Sequence, residues 1–517
     1  MYSSTRLKLI ILAASLAAAS CGGNEPDNDA PALPPALTPA PPISPLTSPP
    51  VAPPVLPPVS PPILPPKPEE TRLQDSRNDF VPADPNATTF AALAAGSGDT
   101  VDNATTDRWA GMLGRAAYQI EVPQNWNGML VMYAHGYAGE NNRLVVTTPS
   151  IRRYLIQSGY AWAASSYSKN FYDVRAGIED TNALALAFTD IAKARGRTLT
   201  APGKIYITGH SMGGHIAAAA VEDETFATAN HKVRYNGAVP MCGMLGDTEW
   251  LDYIAGAQVT AQALAGLPDN PVQQWTNIAG QVKTALYSTF PTTITPLGQQ
   301  FAEVIKNLTG GDRPMFNLGF TAGRSFTGPW GMFGGDGTVA GILNQSTFDT
   351  RRFIYVIDSA AAASSALNAA VLKLSAMPDA NRLRTDGLRW IPRNNGEFRV
   401  PVLTLHTLGD LYAPFSMEQI YQKRVTAKGN GAWLVQRAIR GITHCDFSVA
   451  EQVEAFDAMV KWERTGIKPA GDDVVTATTV AAPLYGCTFT RWPDTEDDSS
   501  TNKATRQITA AAAPCPP

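Results

Sequence analysis

From about Arg115 onward, short apolar runs rich in β-branched and aromatic residues alternate with segments of helical periodicity. The runs that predict strands are 117–122, 129–134, 160–167, 204–208, 235–241, 400–406 and 433–439. The segments that predict helices are 150–157, 178–194, 416–424 and 448–461. Asn127-Gly128 is a hairpin turn signal, so the first two strands are expected to pair. The alternation indicates an α/β fold, with a mostly parallel sheet and helices on both faces.

One long stretch, from Gly246 to Glu397, interrupts this alternation. We interpret 246–397 as an inserted cap, whose aromatic residues either line a substrate pocket or form a core of the cap itself. Within it, Gly334-Gly335-Asp336-Gly337 predicts a turn rather than a metal-binding loop. The aromatic residues concerned are Trp250, Tyr253, Trp275, Phe316, Phe320, Phe326, Trp330, Phe333 and Trp390.

The N-terminus has the pattern of an export signal. Arg6 and Lys8 precede an apolar stretch, Leu9 to Ala19, that is too short to span a bilayer. The run Ala18-Ala19-Ser20-Cys21 resembles a bacterial lipoprotein cleavage site, although leucine is commoner at the position of Ala18. We therefore expect residues 1–20 to be a signal peptide and Cys21 to become the lipidated first residue. Ordinary secretion is the alternative.

A proline-rich segment follows Cys21. Between Pro31 and Pro68 there are 18 prolines in 38 residues, a composition that favours polyproline II and buries no core. We expect residues 21–80 to be a disordered stalk on a membrane lipid anchor; a ligand for proline-binding modules is the alternative.

By resemblance to Gram-negative lipoproteins, Gly22 after the cysteine indicates the outer membrane or cell surface. The periplasm and the medium remain alternatives.

Composition narrows the possible partners. The chain of 517 residues is 17% charged, has a net charge of −4 and shows no basic stripe, so no nucleic acid partner is expected. Four cysteines remain after Cys21, and an even number in an exported chain indicates two disulfides. Three connectivities are open; we expect Cys242 to pair with Cys445 and Cys487 with Cys515. The spacing of these cysteines does not indicate a metal site.

The clearest candidate for chemistry is the pentapeptide Gly209-His210-Ser211-Met212-Gly213. It follows the strand-like run 204–208 and precedes an alanine-rich helical segment, which is the context of a nucleophile elbow. Glycines suit such a turn because its strained backbone leaves no room for side chains. Ser211 is therefore the expected nucleophile. The alternative is a glycine-rich turn without chemistry.

A serine hydroxyl needs a base to take its proton, and the base needs an orienting acid. Of the six histidines, we expect His444 to be the base, because it lies in the loop after the last predicted strand. The acid is expected at Asp410, in the loop that follows strand 400–406. Its competitors are Asp247, Glu249 and Asp446.

Acyl transfer also requires donors for the oxyanion of the tetrahedral intermediate. One backbone N–H is expected from Met212, the residue after the nucleophile. The other is expected from Tyr137, because His135-Gly136 after strand 129–134 lets the chain turn inward. An ordinary turn at His135-Gly136 is the alternative.

Taken in order, His135-Gly136-Tyr137, the elbow around Ser211, Gly409-Asp410 and His444 make the chain similar to the α/β-hydrolase superfamily, of the lipase and esterase kind. The resemblance covers roughly 115–462 without the cap, and it implies the roles given above for Ser211, Asp410, His444, Tyr137 and Met212. It divides the chain into a catalytic domain at 81–245 and 398–465, the cap, and a C-terminal tail at 466–517. Cys445 beside the histidine resembles feruloyl esterases and tannases, where a disulfide ties that loop, but here His210 and not a cysteine precedes the serine.

The expected function is hydrolysis of bulky extracellular carboxylic esters, such as lipids, aryl esters or polyester fragments, through an acyl-enzyme. The expected partner is thus an ester substrate, and the mechanism requires no cofactor or metal. A serine peptidase or amidase of the same fold is the first alternative. A non-catalytic binding lipoprotein is the second. The sequence leaves the oligomeric state open.

Overall fold

The computed structural model describes residues 70–96, 105–322, 325–491 and 500–516. The predicted signal peptide, Cys21 and most of the predicted stalk lie outside the described residues. The stalk was expected to reach residue 80, but Arg72 forms an ion pair with Asp173 at 2.9 Å and Phe80 is buried. The stalk prediction is therefore wrong for residues 70–80, which pack on the folded part of the chain.

An eight-stranded sheet lies at the centre of the fold. Its spatial order is β1-β2-β4-β3-β5-β6-β7-β8. β2 is antiparallel to both of its neighbours, and the other neighbouring pairs are parallel. The predicted mostly parallel sheet is thus confirmed. In chain order the strands are β1 (Asp107–Leu113), β2 (Ala116–Val122), β3 (Met129–Ala134), β4 (Ala161–Ser165), β5 (Lys204–His210), β6 (Gly237–Met241), β7 (Val402–Thr407) and β8 (Leu434–Ile439).

The predicted hairpin between β2 and β3 is wrong. The turn itself forms, because Asn127 Oδ1 accepts the Met129 N–H at 3.0 Å and Gly128 has a φ of 82°. β3 then runs parallel between β4 and β5 instead of returning along β2. Every residue of β3 is buried, and a continuous apolar run of this kind favours a central strand covered on both faces.

Helices cover both faces of the sheet, as predicted. Alternate residues of β3 separate into two cores: Leu130 packs in a core with Phe188 and Ile216, and Val131 in a core with Phe456. Among the described residues, no helix combines the length and apolar composition needed to cross a bilayer. The helices are α1 (Leu73–Ser76), α2 (Arg152–Gln157), α3 (Val174–Ala194), α4 (Met212–Ala220), α5 (Asp223–Thr228), α6 (Glu249–Leu264), α7 (Trp275–Leu286), α8 (Pro296–Leu308), α9 (Thr327–Gly331), α10 (Ala361–Ala370), α11 (Ser416–Ala427), α12 (Val449–Thr465), α13 (Ala477–Val480) and α14 (Ser500–Ala512).

The segment between β6 and β7 carries helices α6 to α10. Most of its aromatic side chains pack on one another, as shown by ring-centroid distances of 5.2 Å for Trp275–Trp330 and 5.1 Å for Phe320–Phe326. Of the two interpretations of these aromatic residues, a core of the inserted segment therefore accounts for most of them.

Candidate active site

Ser211 lies in a sharp turn between β5 and α4. Its φ of 58° and ψ of −121° are unusual for a residue with a side chain. The turn is possible because Gly213 has no Cβ: one there would overlap the carbonyl oxygen of Ala134 on β3. The Ser211 N–H donates to the Met241 carbonyl oxygen at 3.0 Å. Backbone strain held by its surroundings in this way is typical of functional positions.

The structure brings Ser211, His444 and Asp410 together. His444 Nε2 lies 2.7 Å from Ser211 Oγ, and His444 Nδ1 lies 2.6 Å from Asp410 Oδ2. Because a carboxylate accepts hydrogen bonds, this arrangement gives Nδ1 the proton and leaves Nε2 to accept from the serine hydroxyl. The two bonds connect groups that are 233 and 34 residues apart in the chain. Such a geometry suits proton transfer from the hydroxyl to the imidazole.

The loop that carries Asp410 is held from two sides. The buried carboxylate accepts the backbone N–H groups of Tyr412 and Ala413 on Oδ1, at 2.9 and 3.1 Å, which leaves Oδ2 for His444. The inserted segment holds the outer side: Trp250 Nε1 donates to the Tyr412 carbonyl at 2.6 Å and Tyr253 Oη to the Leu411 carbonyl at 2.9 Å. Sequence reasoning missed this support because nothing in the spacing links these aromatic residues to the acid loop.

The competing acids have other partners. Asp247 and Glu249 both pair with Arg424, at 2.6 and 2.7 Å. Asp446 Oδ2 accepts the Thr505 hydroxyl at 3.1 Å. The geometry therefore favours Asp410 over all three as the carboxylate that orients His444.

The described residues contain two disulfides, with the predicted pairing. Cys242 is bonded to Cys445, and Cys487 to Cys515. The first joins the turn after β6 to the residue after His444, and Cys242 Sγ lies 3.3 Å from the backbone N of Ser211. Cys242 and Cys445 have φ values of 45° and 58°, so strained backbone occurs next to the histidine as well as at the serine. Their sulfurs are bonded to each other and so offer no thiolates to a metal.

The C-terminal segment supports the histidine loop, a role that the sequence did not indicate. Arg506 on α14 is buried and donates to the Asp446 carbonyl oxygen at 2.8 Å. Its guanidinium also pairs with Glu451 at 2.6 Å. The Cys487–Cys515 disulfide closes this segment around Arg506. The cysteine pair was the available signal that the tail is fixed to the rest of the chain.

The predicted oxyanion donors lie next to the serine. Gly136 passes so close that a Cβ there would be 3.3 Å from Ser211 Cβ and 3.9 Å from Ser211 Oγ. Tyr137 follows it directly. Met212 is the first residue of α4, where backbone N–H groups are free of helical partners and the helix dipole favours negative charge. The surroundings suit an oxyanion, although the roles of Tyr137 and Met212 stay predictions.

Other histidines are engaged elsewhere. His215 Nε2 lies 2.8 Å from the Pro392 carbonyl oxygen and Nδ1 lies 2.8 Å from Tyr172 Oη, so Nε2 donates and Nδ1 accepts. Burial lowers the pKa of His215, in agreement with a neutral ring. For His406, burial disfavours the charged ring, but the Glu418 and Asp410 carboxylates and the Ala413 carbonyl together raise the pKa.

A cavity of about 620 Å³ lies beside the triad. Two of its lining residues connect it to the triad: Tyr137 follows Gly136, and the Tyr412 ring packs edge-on against His444 with centroids 5.1 Å apart. Tyr172 and Trp250 also line it. Trp250 therefore fits the pocket interpretation of the inserted aromatic residues. The volume suits a small-molecule site.

Comparisons with known proteins give distant matches. No protein-family model matches the sequence. O-phthalyl amidase of Xanthobacter agilis is 32% identical over 75 residues, which is 14% of this chain and only 17% of the amidase. The match thus spans a small fraction of that relative.

Solved structures are similar to this chain at low identity. Feruloyl esterase B of Aspergillus oryzae matches at 15% identity and a TM-score of 0.41, covering 70% of this chain and 81% of the esterase. Candida antarctica lipase A matches at 14% identity and a TM-score of 0.36, covering 84% of this chain and 95% of the lipase. Acylaminoacyl peptidase of Pyrococcus horikoshii matches at 9% identity and a TM-score of 0.35, covering 72% of this chain and 43% of the peptidase. The chemistry of the site must therefore be read from its own atoms.

Proposed function

We propose that this chain is a serine hydrolase that cleaves carboxylic esters through an acyl-enzyme. The observation that carries the proposal is the continuous hydrogen-bonded row from Ser211 through His444 to Asp410, with bonds of 2.7 and 2.6 Å. A strained serine, an oriented imidazole and a buried carboxylate are what activation of a hydroxyl requires.

In the proposed first half-reaction, Ser211 Oγ attacks the ester carbonyl while His444 Nε2 takes its proton. The carbonyl oxygen becomes an oxyanion beside the N–H groups of Tyr137 and Met212, each of which is worth about 3 kcal/mol of the barrier. Asp410 stabilises the imidazolium without taking its proton. The imidazolium then protonates the departing alcohol, and the acyl group stays on Ser211.

In the second half-reaction, water attacks the acyl-enzyme. His444 takes a proton from that water and returns it to Ser211 Oγ as the acid leaves. The cavity bounded by Tyr137 and Tyr412 would hold one side of the ester during both steps. Its volume and aromatic lining support a bulky substrate.

An amidase or peptidase activity is the second candidate. The short match to o-phthalyl amidase favours it, because that protein is named for cleavage of an amide. The two candidates share the triad and differ in the leaving group. Matched p-nitrophenyl ester and p-nitroanilide substrates with one acyl group separate them. We expect the ester to be cleaved faster; faster anilide cleavage would make the amidase the better proposal.

We also propose that the chain is exported and anchored through a lipid on Cys21. The two disulfides are compatible with an oxidising compartment. Palmitate labelling of the expressed protein, with Cys21→Ala as the control, tests the anchor. Label that persists in the variant would contradict it.

A further inference from the structure

We infer that the cavity beside the triad binds an aromatic group that is neutral or positively charged, and that Glu140 and Asp336 make it reject anionic groups. This inference rests on the proposed function only in assigning that group to one side of the ester. The chemical class of substrate is thus an aryl ester without a carboxylate on the ring.

The aromatic preference follows from a row of rings that leads from the cavity to the triad. Ring centroids are 5.2 Å apart for Tyr172 and Trp250, 5.7 Å for Trp250 and Tyr412, and 5.1 Å for Tyr412 and His444. Hydrogen bonds fix the row, since Tyr172 Oη bonds His215 and Trp250 Nε1 bonds the Tyr412 carbonyl. Rigid aromatic walls offer edge and face contacts to a planar ligand without ordering cost.

The charge preference follows from the other lining residues. Glu140 and Asp336 are the charged residues among the described residues that line the cavity, and none of these is Lys, Arg or His. Burial and the nearby Glu140 carboxylate raise the pKa of Tyr137, so this carboxylate lies close to the residue that follows Gly136. Asp336 Oδ1 accepts the N–H and hydroxyl of Thr338, at 2.8 and 2.7 Å, so its orientation is fixed.

These features act in the same direction on charged ligands. A cation gains from the aromatic faces and from both carboxylates, whereas an anion is repelled by the carboxylates and finds no cationic side chain among the described lining residues. Because Glu140 and Asp336 are exposed, solvent screens the effect. We expect a difference of about tenfold in affinity between matched cationic and anionic ligands.

Binding to the Ser211→Ala protein tests the inference without any turnover. The probes are benzyltrimethylammonium, phenylacetamide and phenylacetate, which share a benzyl group and differ in charge. Dissociation constants come from calorimetry and from quenching of tryptophan fluorescence. We expect the tightest binding for the cation and the weakest for the anion, with about tenfold between them.

Charge variants show which residues produce the preference. Glu140→Gln/Asp336→Asn should lower the cation-to-anion ratio severalfold and leave only the part that the aromatic faces contribute. Asp190→Asn is the matched control, because it removes an exposed carboxylate that does not line the cavity, and it should leave the ratio unchanged. Equal binding of the three probes, or a ratio that is as large in the double variant as in the Ser211→Ala protein, would overturn the inference.

Hydrolysis connects the cavity to the proposed function. The substrates are p-nitrophenyl benzoates with a para aminomethyl, carbamoylmethyl or carboxymethyl group, whose methylene insulates the ester from the charge. We expect kcat/KM to be about tenfold lower for the carboxymethyl ester than for the aminomethyl ester. If no ester is cleaved while the binding preference holds, the proposed function is contradicted and the inference is not. If cleavage requires Ser211 but does not depend on the charge of the substrate, the inference is contradicted and the proposed function is not.

Discussion

The Cys242–Cys445 disulfide joins the turn after β6, which lies beside the Ser211 backbone N–H, to the residue that follows His444. We predict that Cys242→Ala/Cys445→Ala lowers both stability and turnover. Cys487→Ala/Cys515→Ala is the matched control, since it also removes one disulfide and two sulfurs but leaves the Cys242–Cys445 bond in place.

The expected stability changes follow from the length of chain that each disulfide closes. A sequence separation of 203 corresponds to about 5 kcal/mol of unfolded-state entropy, and a separation of 28 to about 3.6 kcal/mol. The first value is reduced because Cys242 and Cys445 both have positive φ, and releasing that strain returns about 1 kcal/mol for each residue. The net loss of unfolding free energy should therefore be of similar size in the two variants, roughly 3 kcal/mol.

Turnover should separate the two variants. Without the Cys242–Cys445 bond, the backbone next to His444 is no longer covalently joined to the turn that lies beside the Ser211 N–H. A misplacement of about 1 Å in such a pair lowers the rate about 100-fold. The other variant retains the bond from Arg506 to Asp446, so we expect a change in kcat of less than about threefold.

The assay combines urea unfolding with steady-state hydrolysis of a p-nitrophenyl ester at a temperature where both variants are folded. We expect KM to change little, because the cavity walls contain neither cysteine. If both variants lose kcat equally, or if the first retains wild-type kcat, the disulfide does not position the triad.

Three further predictions concern single side chains. Asp410→Asn should lower kcat by about 10⁴-fold, while Asp247→Asn, which breaks a salt bridge with Arg424, should change stability and leave kcat nearly unaltered; the reverse pattern would exchange their roles. Arg506→Met should lower kcat more than it changes KM, because the histidine loop loses its bond at Asp446; a variant with only reduced stability would make Arg506 merely structural. Burial lowers the pKa of His215, so below about pH 6.5 the unfolded state binds the extra proton and stability falls as pH falls. His215→Gln should therefore make the melting temperature depend less on pH between about pH 6.5 and 5. An unchanged slope of melting temperature against pH would contradict a neutral buried ring.

Local patterns predicted the elements that carry the site. The elbow, the loop after β7 and the loop after β8 follow from strand-like runs whose ends the sequence marks clearly. In a mostly parallel sheet these ends meet at one edge, and so the chain order of Ser211, Asp410 and His444 was sufficient to assemble them.

Interactions between distant segments were not predictable in the same way. β1 was missed, and β3 was paired with the wrong strand, because register depends on partners far along the chain. The bond from Trp250 to the acid loop and the bond from Arg506 to the histidine loop leave no periodic signal. A buried aromatic residue or arginine looks the same in the sequence whether it supports a site or only fills space.

The most direct test of the proposed mechanism is intact mass spectrometry after treatment with a fluorophosphonate, which forms a covalent bond with an activated serine. We predict one adduct on the native protein, located on the peptide that contains Ser211, and no adduct on Ser211→Ala. An adduct that persists in the variant, or a native protein that does not react, would contradict the claim that His444 and Asp410 activate this hydroxyl.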